Sequence, residues 1–205
     1  MEPLKDDVRI IWLETADSTN KELHRRLEGL DNLSVVAAVE QTSGRGQGAH
    51  TWFSRPGSGL TFSLLLRFPG EFALKATDLL QITELTTLAL RDYLLSRGIG
   101  ARIKWPNDIW VGERKICGIL IENILDGEMI ATSIVGIGLN VNETCWPEEL
   151  PNPVSMKQLT GRNYNLRDEL EELCAHIALR YSLLASPDGR RRLDEEFNQY
   201  MFRLE

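Results

Sequence analysis

The sequence predicts an α+β fold in which a mixed, largely antiparallel sheet is flanked by helices. Two apolar runs, Ile109 to Val111 and Ile116 to Ile121, flank the tight polar turn Gly112-Glu113-Arg114, which is the pattern of a β-hairpin. Leu60, Phe62, Leu64 and Leu66 alternate as a strand against a core should, and so do Val135, Ile137, Leu139 and Val141. Apolar residues recur at helical spacing at 79, 82, 85, 89 and 93, and again at 166, 170, 173, 177, 181 and 184.

Composition bounds the function. A chain of 205 residues with 42% hydrophobic content can build one sizeable core, so a single domain over residues 1–205 is expected. The net charge of −7 and a pI near 5.1 argue against a general attraction to DNA or other nucleic acid. No apolar run of about 18 residues could span a membrane, and Met1 to Ile10 lacks the apolar core of a signal peptide, so a cytoplasmic protein with no membrane association is expected. Cys117, Cys145 and Cys174 are widely spaced with no C-x-x-C pair, and His24, His50 and His176 show no metal-ligand spacing. Neither a disulfide framework, a zinc site nor a Cys-His or Ser-His nucleophile is indicated.

Taken in order, Val8 to Leu13 suits a strand and leads into Asp17-Ser18-Thr19-Asn20, where Asp17 or Ser18 can cap a helix over Lys21 to Leu30. Ser18, Thr19 and Asn20 also put three hydrogen-bonding side chains at one strand-to-helix junction, a plausible polar grip. Ser34 to Glu40 reads as a strand, and its continuously apolar stretch Val35 to Val39 suggests cover on both faces. It ends in Gln41-Thr42-Ser43-Gly44-Arg45-Gly46-Gln47-Gly48, a loop whose glycines let its backbone approach a ligand and whose Arg45 can meet an anion. After the turn at Pro56 to Gly59 comes the alternating strand from Leu60. Asp78 to Ser96 is a core helix closed by Gly98, and Ala101 to Trp105 is a strand.

That strand delivers the stretch around which the chain is organised, Lys104-Trp105-Pro106-Asn107-Asp108, and the hairpin then brings in Lys115. Two lysines with an Asn and an Asp on a rigid support suit an anionic ligand with a metal: Lys supplies positive charge to phosphate or carboxylate, and Asn107 and Asp108 supply oxygens of the kind Mg²⁺ prefers. In Met129 to Asn142 the face opposite the valines and isoleucine carries Gly136, Gly138, Asn140 and Asn142, which cannot pack an apolar core and leaves room for something flat or polar. Cys145 to Pro153 reads as a loop, Asn165 caps the next long helix, and Pro187-Asp188 starts a last helix to about Leu204.

These stretches together resemble the catalytic domain of the biotin protein ligases. The motifs are Asp17-Ser18-Thr19-Asn20, Gln41-Thr42-Ser43-Gly44-Arg45-Gly46 with Trp52, Lys104-Trp105-Pro106-Asn107-Asp108, Lys115-Ile116-Cys117-Gly118 and Gly136-Ile137-Gly138-Leu139-Asn140, in order along nearly the whole chain. The resemblance implies a sheet and helices related to the class II aminoacyl-tRNA synthetases. It also implies a two-step reaction: ATP and biotin give biotinyl-5′-AMP and pyrophosphate, and a lysine of a biotin carboxyl carrier domain, usually that of acetyl-CoA carboxylase, then takes the biotin. Carried over by position, Ser18, Thr19 and Gln41, with Asn20 beside them, would bind the biotin ureido ring. Arg45 and the Gly44-Arg45-Gly46 loop would close over carboxylate and phosphate, with Gln47 and Trp52 also among the binding residues. Lys115 would stabilise the developing charge, with Gly118 admitting the ligand. Lys104, Asn107 and Asp108 would engage phosphates and Mg²⁺, and Asn140 would sit beside the adenylate. A homodimer formed through the sheet edge, with Met129 to Asn142 as the pairing segment, is a further expectation.

Two departures from the family pattern stand out. Many members carry a second Arg in G-R-G-R where this chain has Gln47, so weaker retention of the adenylate is expected. No helix-turn-helix precedes Val8, and Phe197 to Glu205 resembles the segment leading into the family's small SH3-like C-terminal domain, so neither flanking domain is expected. The nearest alternative activities are a lipoate-type ligase and a non-catalytic binder of biotin or its adenylate.

Overall fold

In the computed structural model, which describes residues 8–48 and 50–202, eight strands form one sheet. In chain order they are β1 (Ile10–Ala16), β2 (Val35–Gln41), β3 (Gly59–Arg67), β4 (Arg102–Lys104), β5 (Asp108–Val111), β6 (Arg114–Asp126), β7 (Met129–Asn140) and β8 (Met201–Phe202). Their spatial order is β1-β2-β3-β7-β6-β5-β4-β8. β1 is parallel to β2 and β4 to β8, and all other neighbouring pairs are antiparallel, so the sheet is mixed and largely antiparallel. The α-helices are α1 (Thr19–Arg25), α2 (Leu80–Ser96), α3 (Met156–Thr160), α4 (Leu166–Ser182) and α5 (Pro187–Tyr200).

The period-2 alternation of the strands decides what lies on each side of the sheet. Val35, Ala37, Leu60, Phe62, Leu64, Val135, Ile137 and Leu139 share one buried cluster with Leu85 and Leu88 of α2, Leu170, Leu173 and Ile177 of α4 and Leu193 and Phe197 of α5. The other face has a much smaller cluster, Leu23 and Leu30 against Val36, Leu65 and Ile134, beneath α1. Beyond it that face turns polar or bare, with Thr61 opposite Gly138 and Ser63 opposite Gly136 on β3 and β7. Three helices therefore cover one face, and the second is left open for a site.

Local sequence accounts for the helix ends. Asn165 caps α4 by accepting from the Arg167 amide, and Ser186 caps α5 by accepting from Gly189, with Pro187 at its first turn. Ser155 and Gln158 form a capping box on α3, which ends in Gly161 at φ 73. The expected hairpin across residues 112–114 is present as β5–β6, and β2 is buried on both faces from Val35 to Ala38.

Several expected boundaries move. α1 begins at Thr19 rather than Lys21 and stops at Arg25, the rest of the expected helix being a 3₁₀ turn at Leu27–Gly29. Ser18 occupies its N-cap position but its side chain makes no cap hydrogen bond, and Asp17 instead accepts from the Ser18 amide. α2 starts at Leu80 rather than Asp78, because Ala76–Asp78 winds as a 3₁₀ turn. The expected strand Ala101 to Trp105 shortens to Arg102–Lys104, and α5 ends at Tyr200 because Met201 and Phe202 pair beside β4; the expected end at Leu204 lies outside the described residues. Met129 to Asn142 is not an edge. β7 has β3 on one side and β6 on the other, so its backbone groups are already used and it does not offer the pairing edge expected for a homodimer.

One buried carboxyl makes this scaffold sensitive to pH. Glu84 of α2 is 2% exposed, its Oε2 has no hydrogen-bond partner among the described residues, and burial together with the like charge of Asp194 on α5 raises its pKa from 4.5 to about 7. A raised carboxyl favours the fold while protonated, so the stability it allows is complete below the ordinary pKa and is lost as pH rises through about 7. Glu84→Gln is expected to raise the thermal midpoint at about pH 8, and to flatten the fall in midpoint between about pH 5 and about pH 8.

Candidate active site

A cavity of about 590 Å³ opens on the bare face of the sheet. Its floor is made by β6 and β7, its inner end by the β1–α1 junction and the end of β2, and its rim by the glycine-rich segment after β2 and the β4–β5 turn.

The floor exists because three positions lack side chains. Gly118 and Gly138 face each other across β6 and β7, and Gly136 is opposite Leu120. A Cβ built on Gly138 would overlap the Trp52 indole, one on Gly136 the Asn20 side-chain amide, and one on Gly118 would crowd Trp52 and the end of the Lys115 side chain. The indole of Trp52 thus lies directly on the backbone of the sheet, an approach that only glycine permits.

At the inner end the side chains are tied to one another. The amide oxygen of Gln41 accepts from the Thr19 backbone N–H at 2.8 Å and stands 3.2 Å from the Thr19 hydroxyl, which orients Gln41 with its amide nitrogen as a donor group. Ser63 of β3 lies 2.8 Å from the Thr19 hydroxyl and donates to the Asn20 amide oxygen at 2.5 Å. Asn20 in turn donates to Glu122 at 2.7 Å. Ser18, Thr19 and Asn20 are all buried, at 2–3% exposure, so their polar groups face the cavity or each other rather than bulk water.

The glycine-rich segment is a small hairpin: Arg45 pairs with Thr51, the Gly46 amide donates to the His50 carbonyl at 2.8 Å, and the Trp52 amide donates to Gly44 at 3.1 Å. It carries Arg45 over the cavity, where its Nη1 donates to Glu122 Oε1 at 3.0 Å.

On the far side, Lys115 Nζ is 2.8 Å from Asp108 Oδ1 and 5.8 Å from the Trp52 ring centroid. Its backbone is clamped twice, by pairing with Trp110 on β5 and by hydrogen bonds to Asn152 and Val154. Lys104 pairs with Asp108 in register, and its ammonium lies 4.1 Å from the Trp110 ring centroid. The turn between β4 and β5 contains a cis Trp105–Pro106 bond, and Asn107 donates through its amide nitrogen to the Ile119 carbonyl. The buried Cys117 thiol, beside Lys115 in sequence, is pushed far up by burial, so it does not act as a nucleophile.

Ser18, Thr19, Asn20, Gln41, Arg45, Gly46, Gln47, Trp52, Lys104, Asn107, Asp108, Lys115 and Gly118 all line this one cavity. Gly44 and Asn140 do not. Gly44 packs against the Trp52 carbonyl, and the Asn140 amide donates to the Val154 and Lys115 carbonyls, bracing the loop that holds Lys115. Sequence reasoning left Glu122 and Trp110 out of the site and marked the floor glycines Gly136 and Gly138 as bare positions that leave room for a ligand. The glycines had a signal in the alternation of β7. Glu122 had a fainter one, an acidic residue two positions beyond Leu120 on the face that Gly118 and Leu120 present to the cavity.

Fold and site together define the class II aminoacyl-tRNA synthetase-like architecture of the biotin protein ligases. The chain belongs to the biotin/lipoate A/B protein ligase family, whose profile matches residues 12–140, more than half of it. It is 39% identical over 174 residues to the biotin–[acetyl-CoA-carboxylase] ligase of Paracoccus denitrificans, covering 81% of this chain and 70% of that protein. It is 31% identical over 177 residues to the bifunctional ligase/repressor BirA of Bacillus subtilis, covering 84% of this chain and 53% of the relative, so it spans about half of that protein's length. The biotin protein ligase from Aquifex aeolicus in complex with biotin and ATP superposes with a TM-score of 0.79 at 28% identity, over 95% of this chain and 78% of the other. Among the described residues, no helix is long and apolar enough to cross a membrane.

The contact between Trp52 and the floor can be tested directly. Gly138→Ala is expected to lift the indole, raising the quenching of tryptophan fluorescence by acrylamide. Trp52→Phe should remove that increment, and Gly100→Ala, where nothing lies within 4 Å of the added carbon, should leave quenching unchanged.

Proposed function

We propose that this chain is the catalytic domain of a biotin protein ligase, which joins biotin to AMP and then passes it to a lysine of a biotin carboxyl carrier domain such as that of acetyl-CoA carboxylase. The observation that carries this reading is the convergence on one cavity of a neutral hydrogen-bonding grip at the inner end and two cations, Arg45 and Lys115, nearer the mouth. A ureido ring needs neutral donors and acceptors, and Ser18, Thr19 and Gln41 supply them. Biotin's valeryl carboxylate then lies toward Arg45 and Lys115.

In the first step a biotin carboxylate oxygen attacks the α-phosphorus of ATP. A new O–P bond forms, the bond to the bridging oxygen breaks, and pyrophosphate leaves. Two anions must meet, so catalysis needs positive charge more than it needs a base. Lys115 is suited to hold the reacting oxygens because its backbone is clamped on both sides, which limits how far its ammonium can wander. In the second step the neutral amine of the carrier lysine attacks the acyl carbon, the amide forms, AMP leaves, and one proton is lost from nitrogen. The adenylate is already activated, and no enzyme nucleophile is required.

Asn107 and Asp108 fit a Mg²⁺ that arrives with the nucleotide. Asn107 uses its nitrogen on Ile119 and keeps its amide oxygen, while Asp108 keeps a second carboxylate oxygen beyond the one facing Lys115. Two protein oxygens of this kind would suit a hard cation, whose contribution would be to neutralise the departing pyrophosphate. Lys104 stands next to this pair and would add charge on the same phosphates. The lipoate-type and non-catalytic readings are not favoured, because the two motifs bearing Arg45 and Lys115 meet in one cavity.

Transfer of labelled biotin to a purified carrier domain with Mg-ATP tests the reading. Lys115→Ala is expected to reduce adenylate formation by about 100-fold or more, and absence of transfer by the wild type, with either activity or carrier intact in a control ligase, would refute it. Gln47 lines the cavity where many relatives of the family pattern have Arg. Gln47→Arg should slow release of free biotinyl-5′-AMP several-fold, measured by trapping the adenylate in solution; equal release would remove Gln47 as the cause of leakage.

A further inference from the structure

Three cations border the cavity, and each has a partner within the chain. Lys115 faces Asp108, Lys104 lies on the Trp110 ring, and Arg45 faces Glu122. The first two partners belong to the β4–β5–β6 corner already assigned to phosphate. Glu122 does not.

Both oxygens of Glu122 are engaged. Oε1 accepts from Arg45 at 3.0 Å and Oε2 from the Asn20 amide at 2.7 Å, so the carboxylate is held at the end of the floor, on the β6 face that carries Gly118 and Leu120. Among the described residues, the His24 imidazole also lies near it, 3.9 Å from Oε2. Through Asn20 and Ser63 the carboxylate connects to Thr19 and Gln41, the inner grip. One contiguous set of hydrogen bonds thus runs from the floor of the cavity to the guanidinium at its rim.

We propose that Glu122 is a positioning residue of this site: it holds Arg45, and with it the glycine-rich hairpin, against β6, and it competes with the carboxylate of the ligand for the same guanidinium. The inference rests on the biotin ligase reading above. Its physical basis is charge. An anion approaching Arg45 meets a guanidinium already paired, with a fixed carboxylate 3.0 Å from its Nη1, and must take over or share those donors. Arg45 and Glu122 are 45% and 26% exposed, so water screens the competition and its size is modest. Glu122 therefore keeps the hairpin in register at the expense of some affinity for the acid. A neutral ligand, which makes no demand on the guanidinium, is indifferent to it.

Calorimetry on the whole chain with biotin and with biotinamide separates these effects. Glu122→Gln is expected to bind biotin about 3- to 10-fold more tightly, the scale of a partly exposed ion pair, and biotinamide with unchanged affinity. In an Arg45→Gln background the same substitution should change neither, since the competition runs through the guanidinium. Glu122→Asp, too short to span Asn20 and Arg45 together, should move the ratio of biotin to biotinamide affinity in the same direction and keeps the test open if Glu122→Gln fails to fold. Equal change for the two ligands, or no change for either, would overturn the role of Glu122. A wild type that binds neither ligand would instead overturn the biotin reading on which it rests.

Discussion

On β7, Gly136 and Gly138 present only hydrogens toward the cavity, while Val135, Ile137 and Leu139 on the same strand are buried beneath three helices. The rest of the site depends on this difference between two faces of one strand. A central strand is normally committed on both sides, because its neighbours bring apolar residues to each. Here the core side satisfies that demand alone, and the other side is free to receive a flat aromatic ring, a polar junction and a ligand. A single Cβ at either glycine would meet Trp52 or Asn20 and shift the group that defines the cavity.

Around that floor, charge is arranged in compensated pairs. Lys115 with Asp108 and Arg45 with Glu122 cost less to hold in a partly buried cleft than four separate charges would, since each partner replaces lost hydration. The arrangement also pre-positions cations for anionic ligands without leaving them to search through solvent. The neutral grip at the inner end uses a different device, in which hydrogen bonds among Gln41, Thr19, Ser63 and Asn20 set the direction of each dipole. Placing these two kinds of surface at opposite ends of one cavity suits a ligand with one neutral and one anionic end.

Positioning in this molecule is done largely from outside the cavity. Asn140 does not line it, yet its amide ties the carbonyls of Lys115 and Val154 together, and Asn142 holds the following loop by exchanging hydrogen bonds with the Tyr164 backbone. The expected adenylate neighbour at position 140 is in this structure a brace for the lysine, so the asparagines of the β7 alternation divide from the glycines in what they do. Farther off, Arg180 joins Asp92 on α2 to Glu196 on α5, fastening the helical layer that packs on the face of the sheet away from the site.

The sequence by itself determined most of the strands and the long helices, the unequal faces of β7 and which side chains could meet an anion, because periodicity and residue chemistry are local properties that survive without coordinates. Ser18, Thr19, Arg45, Lys104, Asp108 and Lys115 were all legible in that way, and Gln41 through the family resemblance. Only the tertiary structure decided the order of strands, which makes β7 interior and gives β4 a late partner in Met201 and Phe202. It alone paired Arg45 with Glu122, residues 77 positions apart, and turned Asn140 away from the cavity. Such pairings follow from which strands lie side by side, and strand order is set by the packing of the whole chain, which no single stretch of residues encodes.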